Sequence, residues 1–129
     1  MRTIAIIGSR TVPETPQNIK IVINKMREMC AGDKELPVIV SGGASGGDTI
    51  AEMISEQCQM DMIIYRAKWD RLGKSAGFAR NASIESCANE CIAIIDKPLA
   101  QSRGTAHTVS LFNDAGKPVH IIEVTNETK

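Results

Sequence analysis

A glycine-rich turn between an apolar run and a second apolar segment constrains the fold of this chain more than any other feature. The turn, Ser41-Gly42-Gly43-Ala44-Ser45-Gly46-Gly47-Asp48-Thr49, follows residues 36–40 and precedes residues 50–54. Glycine lets the backbone pass close to a ligand, and the unpaired N–H groups of a first helical turn attract anions. The order strand, glycine turn and helix therefore predicts an anion-binding cradle in an α/β fold.

Short apolar runs and longer amphipathic segments alternate along the rest of the chain. Thr15 before Pro16 is typical of a helix N-cap, and Gly32 is typical of a position just after a helix. Strands are predicted at 3–7, 38–41, 61–65, 90–95 and 119–124, and helices at 16–30, from 50 onward, at 76–88 and at 102–115. Five strands and four helices in alternation predict a three-layer Rossmann-like sandwich with a parallel sheet and helices on both faces. The 129 residues are enough for a single domain with one core.

Polar and glycine residues gather in the loops that follow the predicted strands. In such sheets, ligands bind beyond the carboxyl ends of the strands, where the strand order reverses. Cations occur in three of these loops: Arg10, Arg103, and a group made of Arg66, Lys68, Arg71, Lys74 and Arg80 that is opposed by one acid, Asp70. Such cations either hold phosphate at the sheet edge or belong to a solvated surface.

Composition and spacing argue against several function classes. The formal net charge is zero, which disfavours a dedicated duplex-DNA binder. Asp48 stands where a P-loop carries lysine and no G-x-G-x-x-G is present, so neither a Walker-type NTPase nor a standard NAD-dependent dehydrogenase is supported. The four cysteines and two histidines lack metal-ligand spacing, so we expect reduced thiols and no metal. With no signal peptide and no apolar run near the ~18 residues of a membrane span, we expect a cytoplasmic protein without a membrane partner.

Five short motifs, in this order, resemble those of the SLOG superfamily and match its small YspA-related branch most closely. They are Gly8-Ser9-Arg10; Ser41-Gly42-Gly43-Ala44 with Gly46 and Asp48; Trp69 with Gly73-Lys74; Ala76-Gly77 with Arg80-Asn81; and Ser102-Arg103-Gly104-Thr105. The resemblance covers nearly the whole chain. It implies a Rossmann-like domain that binds nucleotides or nucleotide-derived ligands, and a homo-oligomer, because many members form dimers.

Two relatives within that superfamily imply different activities. The LOG phosphoribohydrolases cleave the base–ribose bond of nucleoside monophosphates with an arginine, which Arg80 matches, and a glutamate, where this chain has Thr108. Threonine cannot act as a carboxylate base, and Glu85 or Asp48 would have to substitute. The DNA-processing protein DprA binds single-stranded DNA, but Trp69 is the one aromatic residue of four in a candidate binding loop. N-glycosidic hydrolysis and single-stranded DNA binding are therefore the alternatives to ligand binding alone.

The sequence thus predicts a protein that binds a nucleotide or a phosphoribosyl-containing small molecule at the carboxyl edge of the sheet, as a sensor or a sequestering protein. Arg80, with Arg10 or Lys74, would clamp the phosphate, and Asn81 would orient Arg80 or contact the ligand. Trp69 either covers the core edge or stacks on a base, and Asp48 either caps a helix or bonds a ribose. His107 is expected to be structural. The candidate ligand-binding residues are Gly8, Ser9, Arg10, Ser41, Gly42, Gly43, Ala44, Gly46, Gly47, Asp48, Trp69, Lys74, Arg80, Asn81, Ser102, Arg103, Gly104 and Thr105.

Overall fold

The computed structural model describes residues 2–43 and 46–125. It contains a five-stranded, all-parallel sheet that is covered by helices. The strands are β1 (Thr3–Gly8), β2 (Val38–Ser41), β3 (Met62–Ile64), β4 (Glu90–Ile95) and β5 (Val119–Glu123). The helices are α1 (Pro16–Met29), α2 (Gly47–Cys58), α3 (Trp69–Leu72), α4 (Ala76–Cys87) and α5 (Arg103–Asp114), with 3-10 turns at Gly73–Ser75 and Leu99–Gln101. The predicted three-layer Rossmann-like α/β architecture is confirmed.

The strand order, β3-β2-β1-β4-β5, reverses at the centre of the sheet. From β1 the chain proceeds to β2 and β3 on one side, and it then returns to β4 and β5 on the other. In sheets of this type a crevice opens between the loops that follow the two strands at the reversal. The loops after β1 and β4 therefore flank this crevice, and β5 is an edge strand.

The core consists of two apolar layers because the side chains of each strand alternate between the two faces of the sheet. On one face, Ile4 and Ile6 pack with Val22 of α1 and Ile54 of α2. On the other face, alternate residues of β1 and β4 pack with Ile84 of α4 and with Val109 and Phe112 of α5. With both faces covered, the central strands are continuously apolar, which is why short apolar runs predicted them.

The helix boundaries agree with the predictions at some ends and differ at others. The predicted cap of α1 is confirmed, since the Thr15 hydroxyl accepts a hydrogen bond from the Asn18 amide at 3.2 Å. Helix α2 begins at Gly47 rather than at residue 50, and Gly46 is its N-cap with φ of 72°. Asp48 therefore lies inside the first turn and is not the N-cap residue, which excludes one of the two roles predicted for it. Segment 66–75, predicted as a loop, contains α3, which is too short to show an apolar period.

The four cysteines are free thiols, and they differ in burial. Cys91 is buried, whereas Cys30, Cys58 and Cys87 are half-buried. Burial raises the pKa of Cys91 to about 12. Across residues 2–43 and 46–125, no helix has the length and apolar character to cross a membrane, and no cluster of three or more metal-ligating side chains occurs.

Candidate functional site

A cavity of about 380 Å³ opens at the carboxyl edge of the sheet, between the loops after β1 and β4 and the first turns of α2 and α5. This volume lies in the range of small-molecule sites, roughly 300–1,000 Å³. Apolar side chains of β1 and α4 contribute to its wall, and polar residues form most of the remainder. The lining residues are Ile7, Gly8, Arg10, Asp48, Arg80, Asn81, Ile84, Lys97, Gln101, Ser102, Arg103, Gly104, Thr105 and Thr108.

A second cavity, of about 210 Å³, adjoins the first and shares two arginines with it. Its lining residues are Arg10, Gly42, Gly43, Arg66, Ala67, Trp69 and Arg80. The side chain of Trp69 is 54% exposed, and its ring lies over Gly77 of α4, where an added Cβ would be 3.3 Å from Cη2. Because Arg10 and Arg80 line both cavities, a ligand in either one lies beside the same two guanidinium groups.

Arg80 is held in place by hydrogen bonds on two sides. Its Nη1 donates to the carbonyl oxygen of Gly42 at 2.9 Å, and its Nε donates to Oδ1 of Asn81 at 2.9 Å. A guanidinium has five N–H donors, so these two bonds leave capacity for a ligand. The half-buried side chain is thus fixed before any ligand arrives.

Asn81 ties α4 to α5 beneath this arginine. The side chain is 5% exposed, and its Nδ2 lies 3.1 Å from Nδ1 of His107 and 3.4 Å from the carbonyl oxygen of Gly104. Phe78 packs edge-to-face against His107 with ring centroids 4.7 Å apart. The hydrogen bond from Arg80 to Asn81 is therefore consistent with the predicted role of Asn81 in orienting Arg80.

Glycines in the turn after β2 allow α2 to start very close to the loop after β1. A Cβ on Gly46 would collide with the carbonyl oxygen of Ser9, and one on Gly47 would lie 2.5 Å from Cα of Gly8. The Gly47 N–H donates to the Ser9 carbonyl at 3.3 Å. These glycines serve the approach of one backbone to another, and the Gly47 amide of the predicted anion cradle is already engaged.

A chain of hydroxyl groups links the loop after β1 to the first turn of α5. The Ser9 hydroxyl donates to Ser102 Oγ at 3.1 Å, and Ser102 donates to Thr105 Oγ1 at 3.1 Å. Ser102 is the N-cap residue, but among the described residues no side chain bonds the N-terminal amides of α5. Thr108, at the position of the LOG glutamate, donates to the carbonyl oxygen of Gly104 in its own helix at 3.1 Å.

Positive charge is concentrated around both cavities although the chain has no net charge. The lining residues with ionisable side chains are the basic residues Arg10, Arg66, Arg80, Lys97 and Arg103 and the acidic residue Asp48. Asp48 is 6% exposed and faces the larger cavity from the start of α2. A phosphate is therefore best placed away from α2, toward the arginines and the start of α5.

Most of the predicted site residues converge on these cavities. Those that line one or both are Gly8, Arg10, Gly42, Gly43, Asp48, Trp69, Arg80, Asn81, Ser102, Arg103, Gly104 and Thr105. Those that lie behind the lining are Ser9, Ser41, Gly46 and Gly47; Ser9 and Ser41 are almost wholly buried. Ala44 and the side chain of Lys74 lie outside the described residues.

Seven lining residues were not among the candidates: the polar residues Arg66, Lys97, Gln101 and Thr108, and the apolar residues Ile7, Ala67 and Ile84. Lys97 and Gln101 lie between β4 and α5, in a loop that the predicted parallel sheet already placed at its carboxyl edge. Their position in that loop is the signal that could have identified them, since neither belongs to a recognisable motif. Arg66 carries a similar signal, because it lies two residues after the end of β3.

The chain is similar to the Gene 61 protein of Mycobacterium phage D29, with 32% identity over 125 residues that cover 92% of this chain and 94% of that protein. The similarity extends over nearly the whole of both chains, so it is not confined to a single motif. No protein-family model and no solved structure matches the chain.

Proposed function

We propose that this chain, which belongs to the family of the Gene 61 protein of Mycobacterium phage D29, binds a nucleotide or another phosphoribosyl-containing small molecule. One observation carries the proposal: Arg10 and Arg80, from different parts of the fold, line two adjoining cavities, and the start of α5 lines the larger one. We further propose that the family is a branch of the SLOG superfamily, because Arg80 and residues 102–105, which carry part of that resemblance, surround one cavity.

The phosphate is assigned to the arginine side of the larger cavity. Charge-assisted hydrogen bonds from guanidinium to phosphate are short and strong, and the two bonds that hold Arg80 reduce the entropy lost on binding. The first turn of α5 adds backbone N–H groups and the positive end of the helix dipole. Arg10 and Arg103 bring further positive charge to the same edge.

The sugar and base are assigned to the remaining lining groups. The Asp48 carboxylate is an acceptor suited to a ribose hydroxyl, and it repels a second phosphate at α2. The exposed ring of Trp69, in the adjoining cavity, provides a face on which a base stacks. We infer a sensing or sequestering role, in which binding itself is the function.

A ligand panel tests this proposal directly. The purified protein would be titrated by calorimetry with AMP, GMP, CMP, UMP and ribose 5-phosphate, with adenosine as the uncharged control. We expect binding of at least one phosphorylated compound and much weaker binding of adenosine, because the arginines recognise the anion. Absence of binding across the panel, or equal affinity for AMP and adenosine, would contradict the proposal.

N-glycosidic hydrolysis is the second candidate, and the position of Asp48 favours it. A carboxylate that is 6% exposed and lines a cavity of nucleotide size is a candidate for stabilising positive charge that develops on a ribose. This activity predicts release of free base from a nucleoside monophosphate, with loss of release in Asp48→Asn. Chromatography of overnight reactions decides the point, since intact nucleotide would exclude hydrolysis while leaving binding in place.

Single-stranded DNA binding and a homo-oligomer stay predictions that come from the family resemblance. DNA binding predicts an oligonucleotide affinity that falls steeply with salt, because phosphate contacts release counterions. An oligomer predicts a mass above 13.9 kDa in light scattering. Both measurements use the unmodified chain and need no knowledge of the small ligand.

A further inference from the structure

We propose that His107 is a positioning residue for Arg80, that it acts through Asn81, and that it does so only as a neutral imidazole. The inference rests on the proposed function to the extent that Arg80 contacts the ligand. The hydrogen-bond chain on which it depends belongs to the ligand-free protein, so it can be tested separately.

Three consecutive hydrogen bonds run from α5 through α4 to the glycine turn after β2. Asn81 Nδ2 lies 3.1 Å from Nδ1 of His107, Asn81 Oδ1 accepts from Arg80 Nε at 2.9 Å, and Arg80 Nη1 donates to the Gly42 carbonyl at 2.9 Å. His107 and Gly42 are thereby connected although neither contacts the other directly. The hydrogen-bond chain passes through the side chain of Arg80, a residue that lines both cavities.

Donor and acceptor chemistry allows one direction for this chain. The Arg80 guanidinium can only donate, so the oxygen of the Asn81 amide must face it. The amide nitrogen then faces His107, whose Nδ1 has to accept and whose proton is on Nε2. The Gly104 carbonyl, 3.4 Å from the same amide nitrogen, can only accept, which sets the same orientation from a second side.

Protonation of His107 is incompatible with that arrangement. Both nitrogens of an imidazolium donate, so Nδ1–H would point at the N–H groups of Asn81. A flipped amide would present its oxygen to His107, but it would then set its nitrogen against Arg80 Nε–H and its oxygen against the Gly104 carbonyl. Asn81 is 5% exposed, so water cannot readily replace the lost bond. Acid therefore releases the support of Arg80.

Among the charged groups around His107, a cation is linked to it by hydrogen bonds. Helix α5 packs against α4, β4, β5 and the 3-10 turn 99–101, and the turn carries no charged residue. The other titratable groups on these elements are Arg103 and Asp114 on α5; Arg80, Glu85 and Cys87 on α4; Glu90 and Cys91 on β4; and His120 and Glu123 on β5. Glu85 pairs with Lys117 and Glu90 with Arg2, while the group bonded to His107 through Asn81 is a cation. A second positive charge at His107 is therefore repelled by Arg80.

Nitrogen-15 NMR of the ligand-free protein tests these three hydrogen bonds. The protein has two histidines, His107 and His120, so their signals are readily assigned. Spectra would be recorded between about pH 8 and about pH 5, the range in which histidine ordinarily changes charge. We expect the Nε2–H tautomer of His107 at the upper end. The Arg80 Nε–H signal should follow the titration of His107 in the wild type and in His120→Gln, and lose that response in His107→Gln. An Nδ1–H tautomer, or an Arg80 signal indifferent to His107, would overturn the inference.

Affinity for AMP provides the functional readout in the same variants. The second ionisation of the AMP phosphate, with a pKa of about 6, affects binding to the wild type and to His107→Gln equally. The ratio of the two dissociation constants therefore cancels the effect of this ionisation. We expect the wild type to weaken relative to His107→Gln by about three- to tenfold on acidification, the equivalent of one net hydrogen bond. A pH-independent ratio would contradict the inference. If AMP binds neither protein, this ligand fails and the NMR result alone decides the role of His107.

Discussion

Arg80 on α4 donates a hydrogen bond to the carbonyl oxygen of Gly42, 38 positions earlier in the chain, at a distance of 2.9 Å. A Cβ on Gly42 would collide with the Arg80 guanidinium, so the observed position of the guanidinium depends on glycine at residue 42. The glycine turn after β2 therefore forms part of the site in a way that its sequence does not reveal. It supports a cation through a carbonyl group, in addition to any amide that it presents to a ligand.

Replacing Arg80 with alanine is expected to weaken AMP binding by about 1–3 kcal/mol, because a charge-assisted hydrogen bond to phosphate is lost. Arg71→Ala is the matched control, since Arg71 is exposed on α3 and lines neither cavity. Calorimetry measures both affinities, and thermal denaturation checks that each variant is folded. Equal affinities of the two variants would remove Arg80 from the site.

Replacing Trp69 with alanine is expected to cost about 1–3 kcal/mol of affinity for AMP and to leave ribose 5-phosphate binding nearly unchanged, because one stacking surface for a base is lost. Leu72→Ala is the control, as Leu72 is also an exposed apolar residue of α3 but lines neither cavity. In the wild type, Trp69 is the sole tryptophan, so its fluorescence should change with AMP. An equal loss in Leu72→Ala would point to α3 as a whole rather than to the ring.

Replacing Gly46 with alanine is expected to lower the free energy of unfolding by at least about 2 kcal/mol. The added Cβ would collide with the Ser9 carbonyl, and φ of 72° is strained for any residue with a side chain. Gly104→Ala is the matched control, because no atom lies within 4 Å of its added Cβ, and we expect a change within about 0.5 kcal/mol. Urea denaturation measures both, and a tolerated Gly46→Ala would contradict the packing described here.

Replacing Asp33 with asparagine is expected to reduce stability at neutral pH and to have no effect in strong acid. The Arg2 guanidinium beside Asp33 holds the pKa of that carboxyl below its usual value. Because the pKa of Asp33 is lower in the native state, the unfolded state binds more protons near its own pKa of about 3.9. The ion pair therefore stabilises the protein above that pH, and the stabilisation is lost as the pH falls through the native pKa.

Chemical denaturation at a series of pH values would measure this effect. Wild-type and Asp33→Asn curves should converge as the pH falls through the native pKa of Asp33, which lies below its usual value. Asp70→Asn is the control, because no ion pair of Asp70 occurs in the part of the chain that the structure describes. A constant difference between wild type and Asp33→Asn at every pH would show that the ion pair is not its cause.

Local sequence patterns predicted the strands and the longer helices well. The predicted ranges of β2 and β4 coincide with those observed, because strands buried on both faces are continuously apolar and end at polar or glycine residues. The cap at Thr15 was predicted since it depends on residues three positions apart. Helix α3 was missed because four residues do not complete an apolar period.

The candidate site was predicted in outline, and its internal roles were not. Arg80 and Asn81 lie in the second turn of α4, residues 102–105 lie at the start of α5, and all of them line the larger cavity. Gly46 and Gly47 were expected to approach a ligand, whereas they approach the loop after β1. A glycine in a sequence shows that a close neighbour or an unusual φ is needed, but not which neighbour.

The sequence by itself determined the alternation of strands and helices and the parallel sheet, because the local patterns of strand, turn and helix depend on residues near one another in the chain. Only the tertiary structure decided that Arg10 and Arg80 share two cavities and that His107 reaches Arg80 through Asn81. The physical reason is that hydrogen bonds are short and directional, so a partner tens of residues away is specified by how α4 and α5 pack on the sheet.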